Sequence, residues 1–246
     1  MNTAQALGLI DELSRRRDGR IVCAKNVALT VQCSRHAFLR RFYEAADLVT
    51  VDGRPLVYVS ALFGTPFPEM VGGARLWCEI PREAARRGHS MYLLGGTSRT
   101  VERAARNLQR THPALRIVGY RNGFFGAEEL DERVARVRDA SPDIVYVGLP
   151  SPLKEQVCLR LAAEVPTALA VAVGGILEVI AGEKHRAPRV VSVLCLEWLY
   201  RLMQDPRRLW KRYLTTNVLF LIMLCRDLAR HHVGRPRASS APDSPE

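Results

Sequence analysis

The chain has 246 residues, of which 48% are hydrophobic and 25% are charged. This composition supports a full hydrophobic core in one large α/β domain or two small ones, and it excludes a globally disordered chain. The net charge of +11 favours polyanionic partners such as nucleic acid, anionic lipid head groups or phosphorylated substrates.

Strand-like and helical segments alternate along the first 180 residues. Apolar spacing predicts helices over residues 4–17, 34–46, 73–88, 97–113, 127–142 and 151–165. Strands are predicted within residues 20–30, where a turn follows the strand, and within 47–52, 90–96, 115–121, 143–150 and 168–175. We expect Ser34 and either Thr97 or Ser98 to cap helix N-termini, and Gly88 to end a helix. The alternation predicts an α/β fold with a parallel sheet that helices cover on both faces.

The character of the chain changes near residue 188. Its predicted parts are an α/β domain at 1–188, a helical appendage at 189–232 and a disordered Pro/Ser-rich tail at 233–246. Residues 183–212 carry eight Lys/Arg against three Asp/Glu, interleaved with Trp198, Tyr200, Trp210 and Tyr213. Aromatic and basic residues together are typical of a helix at a membrane interface. Nucleic acid would suit the charge too, but no helix-turn-helix, RRM-like or zinc-finger pattern supports it.

No run approaches the roughly 20 apolar residues of a membrane span, because the longest late run, 218–225, has eight. The first twenty residues lack the apolar core of a secretory signal, so we expect a cytoplasmic protein. The six cysteines form no CxxC pair. They predict buried free thiols in a reducing compartment and not a zinc site.

Four predicted strands end in turns rich in Gly, Pro or Ser, and open α/β sheets bind ligands at such ends. The turns are "VDG", "LLGGTS", "VGLPSPLKE" and "AVGGILE". In the second, Gly95 and Gly96 permit close approach to a phosphate, and Thr97 precedes a helix N-terminus. An ordinary strand-to-helix turn explains the same residues. The turn matches neither GxGxxG nor a Walker A loop.

Asp52 follows the strand "LVTV" and precedes Gly53. By local sequence it is either a turn aspartate or a carboxylate displayed at the rim of the sheet. The neighbouring residues do not decide between these two interpretations.

Taken together, five segments resemble the WecG/TagA/CpsF family of bacterial glycosyltransferases across residues 20–225. They are "DLVTVDGRPLV", "YLLGGTSRTVERAARNL", "PDIVYVGLPSP.KE", "AVGGILEVIAGEKHRAP" and "LEWLYRLMQDPRRLWKRYL". The resemblance implies a Rossmann-like core and a basic C-terminal appendage that associates with the membrane. It also implies inverting transfer of a sugar from a UDP-sugar to a saccharide on polyprenyl pyrophosphate. The reaction would serve surface polysaccharide synthesis at the cytoplasmic face of the inner membrane.

By the same resemblance, Asp52 is the general base, and no cofactor or metal is implied, since no clear Asp-x-Asp motif is present. A carboxylate within hydrogen-bond reach of the acceptor hydroxyl suits that role. The resemblance assigns substrate binding to Asn26, Gly53, Gly95, Gly96, Thr97, Lys154, Glu155, Gly174, Gly175, Glu178, Arg186, Arg201, Arg207 and Arg212. Among these, Lys154 and the four arginines are the candidates for pyrophosphate contact.

The chain departs from the family pattern at four positions. Ala24 stands where a Thr is usual, Met70 where an Arg is usual, Arg75 where an Asp is usual and Lys154 where a Gln is usual. Two interpretations follow. Either the pocket is adapted to another sugar, with Arg75 replacing the charge lost at Met70, or the chain is a non-catalytic relative that binds or scaffolds.

Overall fold

The computed structural model describes residues 1–185, 188, 190–191, 194 and 196–233. Within this part of the chain, a few side chains are left undescribed: Ala127, Glu197, Arg201, Arg208, Leu209, Lys211, Arg212, Tyr213, His231, His232 and Val233.

Six parallel strands form one sheet at the centre of the molecule. In chain order they are β1 (Ile21–Lys25), β2 (Leu48–Val51), β3 (Ser90–Gly95), β4 (Arg116–Arg121), β5 (Ile144–Gly148) and β6 (Leu169–Ala172). Their order across the sheet is β2-β1-β6-β5-β3-β4. The prediction of a parallel, Rossmann-like α/β fold is confirmed.

Helices connect the strands and continue beyond the last one. They are α1 (Thr3–Arg16), α2 (Val27–Arg35), α3 (Ala37–Ala45), α4 (Arg54–Leu62), α5 (Gly73–Arg87), α6 (Ser98–Thr111), α7 (Leu130–Ala140), α8 (Leu153–Glu164), α9 (Ile176–Ile180), α10 (Glu197–Gln204) and α11 (Pro206–Val233). A 3-10 turn at Ala127–Glu129 leads into α7.

The sheet is covered on both faces because successive strand side chains point to opposite sides. Leu93 and Tyr146 face a core made with α1, α5, α6 and α9. Leu94 and Val147 face a second core made with α2, α3, α7 and α8. Both cores consist almost wholly of buried aliphatic and aromatic residues, which accounts for the continuously apolar strands in the sequence.

Crossovers that move toward β2 run over one face of the sheet, and those that move toward β4 run over the other. This is the pattern expected when every crossover has the same hand. As a result, the chain leaves neighbouring strands toward opposite faces. Crevices therefore open along the edge where the strands end, which we call the carboxyl edge.

Helix boundaries test several sequence predictions. Gly88 ends α5 in a left-handed conformation, and the Thr97 hydroxyl accepts a hydrogen bond from the Thr100 amide at the start of α6, as predicted. Ser34 is not an N-cap: it lies in the last turn of α2 and donates to the Val31 carbonyl. Residues 27–30, where the sequence predicts a turn, belong to α2, because the Asn26 side chain caps this helix.

The helix α4 is not predicted by the sequence pattern. Its residues, "RPLVYVSAL", mix β-branched and aromatic side chains without a clear helical period. Pro55 near its start and Gly53 before it supply local helix-start signals.

The buried-thiol prediction holds for Cys23, Cys33 and Cys158, while Cys78 is partly buried. It is wrong for Cys225, which is exposed on α11. Cys195 lies outside the described residues. No helix in the described part of the chain is both long and apolar enough to cross a bilayer.

Candidate active site at the carboxyl edge of the sheet

The predicted site residues that follow strands lie in a row along the carboxyl edge. Asp52 follows β2, Asn26 follows β1 and Gly174 follows β6, while Gly95 ends β3 two strands further along. Neighbouring strands are about 4.8 Å apart, so Asp52 and the Gly95 turn are separated by about 19 Å. The structure therefore places the predicted residues on one edge but spreads them over five strands.

Asp52 lies where β2 meets the first turn of α5. Its amide donates to the Lys25 carbonyl of β1, at 2.9 Å, which extends the ladder by one residue. Gly72 and Gly73 pack directly on it: a methyl group at Gly73 would come within 2.4 Å of the Asp52 carboxylate, and one at Gly72 within 2.5 Å of the Val51 carbonyl. A helix N-terminus carries a positive partial charge and is therefore a favourable neighbour for a carboxylate group.

The close approach of these two glycines to Asp52 went unnoticed in the sequence. Gly73 also has a φ of +61°, a left-handed conformation that favours glycine. The doublet "GG" before a helix was a visible signal, but no spacing rule links residue 73 to residue 52. On the other side of Asp52, Gly53 has a φ of +115°, which makes the turn into α4 a glycine position as well.

Asn26 has a local structural role. Its side-chain oxygen accepts a hydrogen bond from the Leu29 amide, at 3.0 Å, and so caps α2. Substrate contact by Asn26 stays a prediction, for which its amide nitrogen and the second lone pair of its oxygen are available. Ala24, two residues earlier, offers only its backbone, and its carbonyl lies 3.3 Å from the Tyr43 hydroxyl.

Glu155 and Lys154 form a buried polar cluster beneath the edge, at the start of α8. Glu155 is completely buried, and one carboxylate oxygen accepts from the Ser151 hydroxyl at 2.8 Å and lies 3.3 Å from the Lys154 ammonium. The Tyr43 hydroxyl lies 3.5 Å from the same oxygen. The second oxygen has no hydrogen-bond partner in the described part of the chain. Lys154 is only 7% exposed, and its ammonium group is paired with the Glu155 carboxylate inside the protein.

The thiols near this cluster are poor nucleophiles. Burial raises the pKa of Cys23 to about 12, although the Lys154 charge opposes the shift. Burial likewise raises the pKa of Cys158 far above its usual range. Because the thiolate is the reactive form of cysteine, these two thiols are inert at neutral pH. They are therefore weaker candidates for a catalytic role than Asp52.

The Gly95-Gly96-Thr97 turn is shaped by packing. A methyl group at Gly95 would lie 2.3 Å from the Gly148 carbonyl of β5, and Gly96 adopts a φ of +66°. The Gly96 carbonyl accepts from the Gly123 amide at 2.8 Å. Strand packing therefore accounts for the glycines without a ligand, and phosphate binding by this turn stays a prediction.

At the end of β6, Gly174 has a φ of +62° and Gly175 precedes α9. The Glu178 carboxylate pairs with the Lys184 ammonium. Thr100, in the first turn of α6, donates to the Glu183 carboxylate at 2.8 Å. These contacts bring the segment after α9 against the Thr97 turn. Arg186 lies outside the described residues.

The C-terminal helices contact the α/β domain in two places, near His185 and along α2. Gln204 of α10 donates to the His185 carbonyl at 3.2 Å, and α11 packs on α2, where the Ser34 hydroxyl meets Met223. Trp198, Trp210 and Arg207 are exposed. The side chains of Arg201 and Arg212 lie outside the described part of the structure, so their predicted contacts are not placed.

The fold is an open parallel α/β sheet, a class in which ligands bind at the carboxyl ends of the strands, and Asp52 stands at that edge. A family model described as "Glycosyl transferase WecG/TagA/CpsF family" matches residues 1–234. The chain belongs to this family of glycosyltransferases.

One curated relative comes from Bacillus spizizenii and is 25% identical over 225 residues, which cover 90% of this chain and 86% of the relative. It is named N-acetylglucosaminyldiphosphoundecaprenol N-acetyl-beta-D-mannosaminyltransferase. The resemblance drawn from the five sequence segments is thus confirmed at the level of the family.

Proposed function

We propose that the chain is an inverting glycosyltransferase that moves a sugar from a UDP-sugar to a saccharide linked to polyprenyl pyrophosphate, in the synthesis of a bacterial surface polysaccharide. The placement of Asp52 carries this proposal. In a chain of this family, a carboxylate stands at the carboxyl edge, against the first turn of α5. The name of the Bacillus relative, which specifies a diphosphoundecaprenol acceptor, supports the lipid-linked substrate.

In the proposed reaction, Asp52 accepts the proton of the acceptor hydroxyl. The oxygen attacks the anomeric carbon of the donor sugar from the side opposite the leaving group. The bond between that carbon and the UDP oxygen breaks, and UDP leaves with the electron pair. A single displacement of this kind inverts the anomeric configuration. The mechanism requires the hydroxyl to lie within about 3 Å of Asp52.

The donor is proposed to lie along the carboxyl edge. The turns at Gly95-Gly96-Thr97 and Gly174 would line its pocket, and their distance from Asp52 suits an elongated ligand with the sugar toward β2. Negative charge develops on the departing UDP, and cations or helix N-termini would stabilise it. Arg207 is exposed on α11, and Lys154 is buried next to Glu155, so Arg207 is the more accessible of these two cations.

We further propose that the protein works as a peripheral protein on the cytoplasmic face of the inner membrane. The exposed Trp198 and Trp210, on helices rich in Arg and Lys, support this. Aromatic rings at head-group depth and basic side chains near anionic lipid are the two contributions that such helices use.

The test is turnover by Asp52→Asn, measured with a panel of UDP-sugars and an authentic lipid-linked acceptor. Removing a general base typically costs 10²–10⁴-fold in rate, so kcat should fall by about 100-fold or more. The matched control is Asp139→Asn on α7, an exposed aspartate remote from the carboxyl edge, which should keep full activity.

Undiminished turnover in Asp52→Asn would exclude Asp52 as the base. The absence of transfer from every donor by the folded wild-type protein would favour a binding or scaffolding role, in line with the changes at Ala24, Met70 and Lys154.

A further inference from the structure

The helix α4 exposes apolar surface next to the candidate active site. Six of its nine residues are Leu, Val, Tyr or Ala, yet only Ser60 is buried. By contrast, α5 buries six residues, including Leu76 and Trp77. A helix that is apolar and still faces solvent marks an interaction surface more often than a packing element.

The exposed residues of α4 share one side of the helix with Arg54, which is half-buried. Arg54, Tyr58, Ala61 and Leu62 have the spacing i, i+4, i+7 and i+8, which aligns them along one face. Tyr58 is 52% exposed and Leu62 is 56% exposed. The loop after α4 folds back, since the Phe67 amide donates to the Ser60 hydroxyl at 3.0 Å, and the Phe67 ring is 47% exposed. We call Arg54, Tyr58, Ala61, Leu62 and Phe67 the α4 surface.

Arg54 gives this surface a charged end. It follows Asp52 by two residues across the Gly53 turn. Its Nε is buried and has no hydrogen-bond partner in the described part of the chain. An unpaired buried donor has an unfavourable free energy that a ligand acceptor can remove. Guanidinium groups bind phosphate oxygens particularly well, through two parallel hydrogen bonds.

We infer that the α4 surface binds the prenyl diphosphate part of the acceptor, with Arg54 on the diphosphate and Tyr58, Leu62 and Phe67 along the first part of the prenyl chain. This inference rests on the proposed function for its substrate. The surface has the order that such a ligand requires: the aspartate for the sugar hydroxyl, then a cation, then apolar residues that extend to Leu62, about 12 Å along the helix from Arg54. It gives Arg54 and α4 a role in acceptor selection that is separate from the C-terminal helices.

The first experiment measures binding and requires no turnover. The full-length protein is titrated with farnesyl diphosphate and with inorganic diphosphate. Wild type should bind farnesyl diphosphate at least tenfold more tightly, because burial of apolar surface adds to the phosphate contact. The double variant Tyr58→Asn/Leu62→Asn should lose this advantage and keep its affinity for diphosphate. Arg54→Gln should weaken both ligands.

The matched control is Tyr120→Asn, which alters an exposed aromatic residue on β4, the outermost strand on the side of the sheet away from β2. It should leave both affinities unchanged. Since Tyr58 and Leu62 are exposed, the double variant is expected to fold, and Leu62→Asn alone replaces it if circular dichroism shows unfolding. Equal affinity of wild type for the two ligands, or an unchanged advantage in the double variant, would overturn the inference.

The second experiment separates this inference from the proposed reaction. With active wild-type enzyme, Tyr58→Asn/Leu62→Asn should raise KM for a long-chain lipid acceptor about tenfold and leave KM for a short-chain, water-soluble acceptor unchanged. Arg54→Gln should raise KM for both acceptors but not for the donor. A rise in donor KM alone would assign Arg54 to the donor and overturn its assignment here.

A second copy of the chain is the other possible occupant of the α4 surface. If sedimentation shows a wild-type dimer that Tyr58→Asn/Leu62→Asn dissolves, with farnesyl diphosphate binding unaltered, a second copy covers α4 and the inference is wrong. A wild-type protein that binds farnesyl diphosphate as described but transfers no sugar would contradict the proposed function alone.

Discussion

Asp52 depends on residues that are distant in the sequence. Gly72 lies so close to the Val51 carbonyl, and Gly73 so close to the Asp52 carboxylate, that a side chain at either position would force these groups to move. The position of the candidate base therefore depends on two things: its place after β2, and the space that Gly72 and Gly73 leave for its carboxylate.

This dependence predicts the effect of Gly73→Ala. The left-handed φ of Gly73 should cost about 1–3 kcal/mol of unfolding free energy for any other residue. The added methyl group also displaces the Asp52 carboxylate, so turnover should fall together with stability. Urea unfolding and a transferase assay measure both effects.

The control is Gly8→Ala in α1, where a methyl group would meet no atom within 4 Å. Because alanine is the better helix former, this variant should gain about 0.5–1 kcal/mol and keep full activity. If Gly73→Ala behaved like Gly8→Ala, the account of Asp52 given above would be wrong.

A second prediction concerns the edge of the sheet where the strands begin. There Asp143, which precedes β5, contacts the start of β3 and the residue after α1. Its carboxylate accepts from the Ser90 amide and hydroxyl, each at 2.8 Å, and from Arg17 at 3.0 Å. Burial tends to raise the pKa of Asp143, but these hydrogen bonds and the charges of His89 and Arg17 outweigh it and hold the pKa below its usual 3.8.

A lowered folded-state pKa means that the carboxylate stabilises the fold above pH 3.8, and that this contribution disappears as the pH falls through the folded-state value. Asp143→Asn should therefore lower the unfolding free energy by about 1–3 kcal/mol at pH 7. The difference from wild type should shrink at pH 3, as urea unfolding at the two pH values would show. An equal difference at both would mean that ionisation of Asp143 is unimportant.

Among the secondary-structure elements, α10 and α11, like α4, contribute no described residue to the two cores. α11 packs on α2, while Trp198 of α10 and Trp210 of α11 stay exposed. The same two helices thus cover part of the domain and present an aromatic, basic surface.

Truncation after residue 190 should release the protein from anionic liposomes, and it should lower stability, since α2 loses its cover. The variant Trp198→Ser/Trp210→Ser separates the two effects. Trp198 is 38% exposed and Trp210 is 49% exposed, so this variant should lose much less stability than the truncation, while liposome binding weakens by roughly tenfold or more. Flotation assays and thermal unfolding give the two readouts, and liposome binding that survives truncation would refute the role of these helices.

For the molecule as a whole, the net charge of +11 determines long-range attraction to anionic surfaces. Binding to phosphatidylglycerol vesicles should be strong at 0.1 M salt and much weaker at 1 M, because the Debye length falls from about 10 Å to about 3 Å. Binding to neutral vesicles should be weak at both. Retention on DNA at physiological salt in place of vesicles would point to a nucleic-acid partner instead.

The parallel α/β architecture was predictable from the sequence because continuously apolar strands alternating with amphipathic helices have few other ways to bury their surfaces. The family was recognisable for a similar reason, since motifs such as "VTVDG" and "AVGGILEVIAGEKHRAP" are local. The caps at Thr97 and Gly88 are also local, and were predicted correctly, whereas Ser34 failed because Asn26 starts the helix earlier.

The sequence by itself determined which strand ends carry polar and glycine residues, and so which residues could share an edge. Only the tertiary structure decided their order along that edge, the contact of Gly73 with Asp52, the burial of Lys154 against Glu155 and the outward face of α4. The physical reason is that strand order and helix orientation follow from packing between segments remote in sequence, which no local pattern of residues encodes.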